Sequence, residues 1–220
     1  MRSLLLLLCP TLLFAQAPKA PAPESFERWE KEIAAIEKRL KETPPAKESV
    51  AFAGSSSIRL WDLKKSFPKL AAYNVGFGGS EIRDVTHFAP RLILPYAPKT
   101  IVFYAGDNDI AKNRTPEQVL ADFTAFDALI HQALPKTRIL YIPVKPSIKR
   151  WSMFDTQKKA NALVQAYCGK HEHLEYVDVV PKMLGKDGMP IPEHFVKDGL
   201  HMTEKGYEVW TALIADKLSK

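Results

Sequence analysis

The chain has almost no cysteine, no apolar run long enough to cross a bilayer and no block of a single charge, and each absence removes a class of answer. Its two cysteines are Cys9 and Cys168. Cys9 falls in an N-terminal stretch that reads as a removable export signal. Met1 and Arg2 start it, Ser3 to Phe14 form an apolar run of 12, and Ala15 and Ala17 are small residues suited to cleavage. Such a run falls short of a membrane-spanning helix. Cleavage after Ala15 is expected, because cleavage after Ala17 would leave Pro18 first. The mature chain then keeps only Cys168, so no internal disulfide can staple it and a buried core must stabilise it. Cys168 is expected to be a small buried residue near a helix end.

Charge is equally unspecialised. Against 31 Lys and Arg stand 25 Asp and Glu, a net +6, and the two signs interleave along the chain. The densest basic stretch, Lys145 to Arg150, holds three cations, so no nucleic-acid partner is expected, nor stable membrane insertion once the signal is gone. Gly76, Gly78 and Gly79 begin like a dinucleotide loop, but the position of the third fingerprint glycine is Glu81, and no phosphate-binding Gly-Lys-Ser/Thr occurs. His171 and His173 have zinc-like spacing without an apparent third ligand and are expected in a solvated loop. Asp107 and Asp109 are expected to be hydrogen-bonded structure rather than a metal or glycosidase pair. No cofactor and no metal is expected.

What is present is a one-domain chain of 220 residues. Residues 1–15 form the signal, 16–23 a Pro- and Ala-rich leader, 24–45 an N-terminal helix, and 46–220 the main domain. In the helix Phe26, Trp29, Ile33, Ile36 and Leu40 recur at spacings of three and four until Pro44 and Pro45 stop it. Apolar runs at Val50 to Ala53, Ala71 to Phe77, Thr100 to Ala105, Arg138 to Val144 and Leu174 to Val179 predict five strands. The helical patterns between them include Thr115 to Leu134, with Thr115 as cap, Pro116 in first position and Gln118 closing a capping box. A last helix near Thr203 to Leu218 carries Tyr207, Trp210 and Ile214 inward. Apolar strands alternating with amphipathic helices predict an α/β domain with a parallel sheet covered on both faces.

Ligands of such a sheet sit beyond the carboxyl ends of its strands. There the first strand ends in Gly54-Ser55-Ser56-Ser57, the second in Asn74-Val75-Gly76-Phe77-Gly78-Gly79-Ser80, the third in Gly106-Asp107-Asn108-Asp109, and the loop before the last helix contains Asp198-Gly199-Leu200-His201. Acyl transfer needs these parts. A serine hydroxyl requires a base to take its proton, which His201 could be, with Asp198 three residues earlier to hold the other ring nitrogen. Charge growing on an ester oxygen requires preplaced donors, which the Ser56 amide, the Gly79 amide and the Asn108 side chain could supply.

These four segments, in this order, resemble the sequence blocks of the SGNH hydrolases, also called the GDSL family, and among them the members compared with platelet-activating-factor acetylhydrolase subunits. The first block has Ser55 where the family pattern has Asp, which places the nucleophile at Ser56. The Asn-x-Gly-x-x-Gly stretch places the oxyanion glycine at Gly79, Gly-x-Asn-Asp gives Asn108, and Asp-x-x-His gives Asp198 and His201. The resemblance runs from about Val50 to the C-terminus. It implies a three-layer α/β/α sandwich around a flavodoxin-like five-stranded parallel sheet, and a metal-free serine esterase acting on small O-acyl esters, acetyl above all, of a carbohydrate or lipid outside the cytoplasm. Two rivals remain at this point: an O-acyltransferase on the same fold, and an inactive exported glycan-binding module.

Overall fold

The computed structural model of the protein describes residues 25–219; the expected signal and leader, residues 1–23, lie outside them. Five strands, β1 (Val50–Gly54), β2 (Ala72–Asn74), β3 (Thr100–Tyr104), β4 (Arg138–Tyr141) and β5 (Leu174–Tyr176), form one sheet in the order β2-β1-β3-β4-β5. Every neighbouring pair is parallel. The helices are α1 (Glu30–Glu42), α2 (Ser56–Arg59), α3 (Leu63–Ser66), α4 (Ile82–Leu92), α5 (Asp107–Ala111), α6 (Pro116–Ala133), α7 (Phe154–Cys168), α8 (Val180–Met183) and α9 (Glu204–Leu218).

The central strands are buried end to end because both sheet faces are covered. Side chains alternate between the faces as the pleat requires. Ala51, Ala53, Ile101 and Phe103 meet α1, α4, α6 and α7, whereas Val50, Phe52, Val102 and Tyr104 meet α2, α3, α8 and α9. This is the three-layer α/β/α sandwich. Local chemistry sets the helix ends: Thr115 Oγ1 accepts from the Gln118 amide at 3.3 Å while Gln118 Oε1 accepts from the Thr115 amide at 2.9 Å, and Pro116 follows the cap. Cys168 closes α7 and is buried.

Three strands, β2, β4 and β5, are shorter than their apolar runs by three residues or more. Val75, Ile142 and Val177 each donate one further bond to the neighbouring strand, at 2.8 to 2.9 Å. Phe77 donates once more, to the Gly54 carbonyl of β1 at 3.0 Å, and Val144 and Val179 stay buried beyond the ladder. An apolar run reports burial, and burial continues into the loops that carry the site.

Candidate active site

Gly54 makes the first turn of the site. Its φ is +141°, and a Cβ there would lie 1.9 Å from the Tyr104 carbonyl oxygen of β3, so only glycine lets β1 approach its neighbour and turn. Ser55 follows in extended conformation and Ser56 opens α2. Ser55 and Ser57 are each only 2% exposed. Ser56 is half-buried, with its Oγ 3.0 Å from His201 Nε2. His201 Nδ1 lies 2.6 Å from Asp198 Oδ2, and Asp198 Oδ1 accepts from the Leu200 and His201 amides at 2.8 and 2.9 Å. The structure therefore brings Ser56, His201 and Asp198 together in hydrogen-bonding sequence.

Partial burial works against ionisation of Asp198, but the Leu200 amide, the His201 ring and the His201 amide outweigh it and hold the carboxyl at about 2. Asp198 thus stays ionised wherever an imidazole base is neutral and usable. The acid limb of kcat/KM is accordingly expected to approach slope one and no steeper, recording a single proton; a slope of two in a stopped-flow or steady-state profile would mean that a second group must also be deprotonated.

Gly79 lies exposed on the loop after β2 with φ +74°. Asn74 clamps that loop by donating from Nδ2 to the Ile58 carbonyl at 2.6 Å and accepting from the Gly76 amide at 2.9 Å. Ser80 adds a bond from Oγ to the Phe77 carbonyl at 3.0 Å. Helix α1 reaches the same loop: the Gly78 amide donates to Glu32 Oε1 at 3.3 Å, and the Trp29 ring is 3.6 Å from where a Gly79 Cβ would stand. Asn108, second residue of α5, donates from Nδ2 to the Ser80 carbonyl at 3.0 Å and accepts at Oδ1 from Arg150 Nη2 at 3.0 Å.

Arg150 belongs to a group that the sequence reading passed over. Its Nη1 lies 2.8 Å from Asp107 Oδ1, Gln157 Nε2 donates to that oxygen at 3.2 Å, and Lys145 Nζ is 3.7 Å from Oδ2 and 3.3 Å from the Tyr104 hydroxyl. Burial lowers the Lys145 pKa and the Asp107 charge opposes it. A signal was available: Lys145 directly follows the apolar run of β4, on the sheet edge that carries the other parts, yet three cations in six residues mark no site by themselves.

Asp109 is buried beside them. Oδ1 accepts from the Ile82 amide at 3.1 Å, at the start of α4, and Oδ2 has no hydrogen-bond partner among the described residues. Burial pushes its carboxyl up to about 7, against the Ile82 amide and with the neighbouring Glu81 charge. The folded state thus binds a proton that the unfolded state has lost between about pH 4 and pH 7, and stability falls as pH rises through that window, at up to about 1.4 kcal/mol per unit. Asp109→Asn is expected to raise the melting temperature at pH 8 clearly more than at pH 5. Equal shifts at the two pH values in calorimetry would assign the charge elsewhere.

Two open depressions lie near the loop that carries Asp198 and His201, though neither residue lines them. One, of about 680 Å³, is lined by Ile148, Trp151, Met189 and Ile191 with Lys186 and Asp187, and Ile148 packs against Gly199. The other, of about 570 Å³, is bordered by Leu60, Trp61, Met202 and Tyr207. His171 and His173 lie in the loop between α7 and β5, as expected, but they are half-buried and hydrogen-bonded rather than freely solvated. His173 Nε2 is 2.7 Å from Asp127 Oδ1 and its ring stacks on His131 at 4.1 Å, while His171 Nδ1 is 2.9 Å from the Tyr167 carbonyl. Only Glu172 between them is exposed.

The model of the GDSL-like lipase/acylhydrolase family matches residues 54–209, from the turn after β1 into α9. The chain belongs to that family. As a GDSL-like acylhydrolase it is a carboxylic ester hydrolase. No curated protein matches it by sequence. Among solved structures it is similar to a Streptococcus pneumonia protein provisionally described as a platelet activating factor, at 19% identity and TM-score 0.78 over 88% of this chain and 94% of that one. A GDSL-like lipase from Bacteroides thetaiotaomicron matches at 21% and 0.69 over 88% and 97%. An acetylxylan esterase from Geobacillus stearothermophilus, a catalytic mutant, matches at 13% and 0.63 over 79% and 94%. At such identities these likenesses establish the fold. Among the described residues no helix is long and apolar enough to cross a membrane.

Proposed function

We propose that this GDSL-like hydrolase removes small O-acyl groups, acetyl above all, from a carbohydrate or lipid outside the cytoplasm, through an acyl-Ser56 intermediate. The observation that carries the reading is the 3.0 Å contact between Ser56 Oγ and His201 Nε2, with Asp198 2.6 Å behind the ring. His201 takes the hydroxyl proton as Ser56 Oγ adds to the ester carbonyl, and Asp198 stabilises the imidazolium. The developing oxyanion meets the amides of Ser56 and Gly79 and the second N–H of Asn108 Nδ2, whose first N–H goes to Ser80. On collapse His201 gives its proton to the departing alkoxide. Water then adds to the acyl-enzyme with His201 as base, and expulsion of Ser56 Oγ, reprotonated by His201, releases the carboxylic acid.

The shortness of the acyl group is argued from the site's edge: α2 starts at Ser56, directly after the turn at Gly54–Ser55, and α5 starts at Asp107, three residues after β3, so neither connection is long enough to form an apolar lid over Ser56. Export is argued from residues 1–17. Support for an acetyl ester comes from the acetylxylan esterase among the similar folds. The test is hydrolysis of 4-nitrophenyl acetate, butyrate and decanoate by the purified mature protein, with and without a sugar acceptor. The acetate and butyrate are expected to turn over at least about 10-fold faster than the decanoate, a factor worth about 1.4 kcal/mol of barrier, with free acid as product. Preference for decanoate would overturn the short-acyl reading, and transfer of acetyl to the sugar in place of acid release would make the protein an acyltransferase.

A further inference from the structure

We infer that Arg150 is a positioning residue for ester hydrolysis: it fixes which end of the Asn108 amide faces the reacting ester, an inference that rests on the reading of Asn108 as an oxyanion donor. The two ends of a side-chain amide are nearly the same shape, so its partners decide its orientation. Here the partners are chemically opposite. A guanidinium has donors only and a carbonyl oxygen accepts only, so Arg150 Nη2 at 3.0 Å selects Oδ1 and the Ser80 carbonyl at 3.0 Å selects Nδ2. Rotating the amide by half a turn would set N–H against N–H on one side and oxygen against oxygen on the other.

Arg150 is itself held. Its other arm forms a 2.8 Å ion pair, without hydrogen-bond alignment, with Asp107 Oδ1, an oxygen that accepts from Gln157 at 3.2 Å, on a carboxylate 4% exposed. Asp107 and Asn108 are consecutive residues at the start of α5, so one planar fork spans both neighbouring side chains; a lysine ammonium is a point charge on a flexible stem and lacks that geometry. A charged donor on Oδ1 also draws electron density from the amide and strengthens its N–H groups as donors. The donor is thereby oriented before charge develops, and no reorganisation is needed at the transition state. The competing role is purely structural, in which Arg150 only neutralises Asp107.

The two roles separate in kinetics on 4-nitrophenyl acetate with Arg150→Lys, Arg150→Met, Asn108→Ala and each Arg150 change combined with Asn108→Ala. Asn108→Ala is expected to lower kcat by about 10²-fold to 10³-fold, and Arg150→Lys by roughly 10-fold, part of the same donor's effect, with KM within about 2-fold. In the Asn108→Ala background both Arg150 changes are expected to add nothing, because the group they orient is gone. Arg150→Lys keeps a cation beside Asp107, so a failure of Arg150→Met to fold leaves the lysine arm to decide. Wild-type kcat in Arg150→Lys, or a full repeat of its loss on top of Asn108→Ala, overturns the positioning role alone. Near-wild-type kcat in Asn108→Ala removes the oxyanion reading itself, and the inference with it.

Discussion

Ser56→Ala is expected to abolish ester hydrolysis, with kcat lower by about 10⁶-fold, whereas Ser55→Ala and Ser57→Ala keep measurable activity. Three adjacent serines make this a discriminating result. The turn at Gly54 ends the strand alternation, and of the three hydroxyls only that of Ser56 reaches His201, at 3.0 Å. Ser55 and Ser57 are buried, and the Ser57 carbonyl accepts from the Tyr207 hydroxyl at 2.9 Å. A phosphonate ester probe should therefore label the wild type and both flanking variants and leave Ser56→Ala unlabelled. An adduct mapped by mass spectrometry to Ser55 or Ser57 would shift the nucleophile by one residue and undo the proposed mechanism.

Asp198→Asn is expected to lower kcat by about 10⁴-fold, less than loss of Ser56 and with folding preserved. An asparagine can keep the turn, because its Oδ1 still accepts from the Leu200 and His201 amides as the aspartate does. Its NH2 then faces His201 Nδ1 where a carboxylate oxygen stood 2.6 Å away. Nδ1 must accept instead of donate, so the neutral ring carries its proton on Nε2, pointing at Ser56, and is no longer a base toward it. An unchanged kcat in Asp198→Asn, with the circular dichroism of the wild type, would show that His201 does not depend on Asp198 for its tautomer.

How much of this was legible beforehand follows from how local each feature is. The capping box of α6 needs only four neighbouring residues, so Thr115, Pro116 and Gln118 disclosed it in full. The α/β class and two-sided burial were legible because burial of β1 and β3 on both faces leaves continuous apolar runs. Ser56, Gly79 and Asn108 stood out beyond strand ends, which a parallel sheet delivers to one edge, and Asp198 and His201 in the loop before α9; the resemblance of the four segments to the family's blocks joined the five. What stayed hidden was long-range and polar. The contact of Arg150 with Asn108 spans 42 positions, and nothing in the local pattern of Lys145-Pro146-Ser147-Ile148-Lys149-Arg150 says that the cations turn inward to a buried carboxylate. His173 likewise meets Asp127 across 46 positions.

The family's matched stretch begins at Gly54, yet Trp29, which caps α1, and Glu32 within it lie against the loop that holds Gly79. Helix α1 is also sewn to the sheet's covering layer, with Ile33, Ile36 and Leu40 in the same apolar cluster as Val85 and Phe88, and Arg28 forked onto Asp84 at 3.0 and 3.2 Å. Whatever two members of the family share from this turn onward, they need not share the wall behind the second donor. In this protein that wall lies outside the matched stretch, so a gene trimmed to residues 54–209 would encode Ser56, Gly79, Asn108, Asp198 and His201 while leaving one side of their enclosure behind.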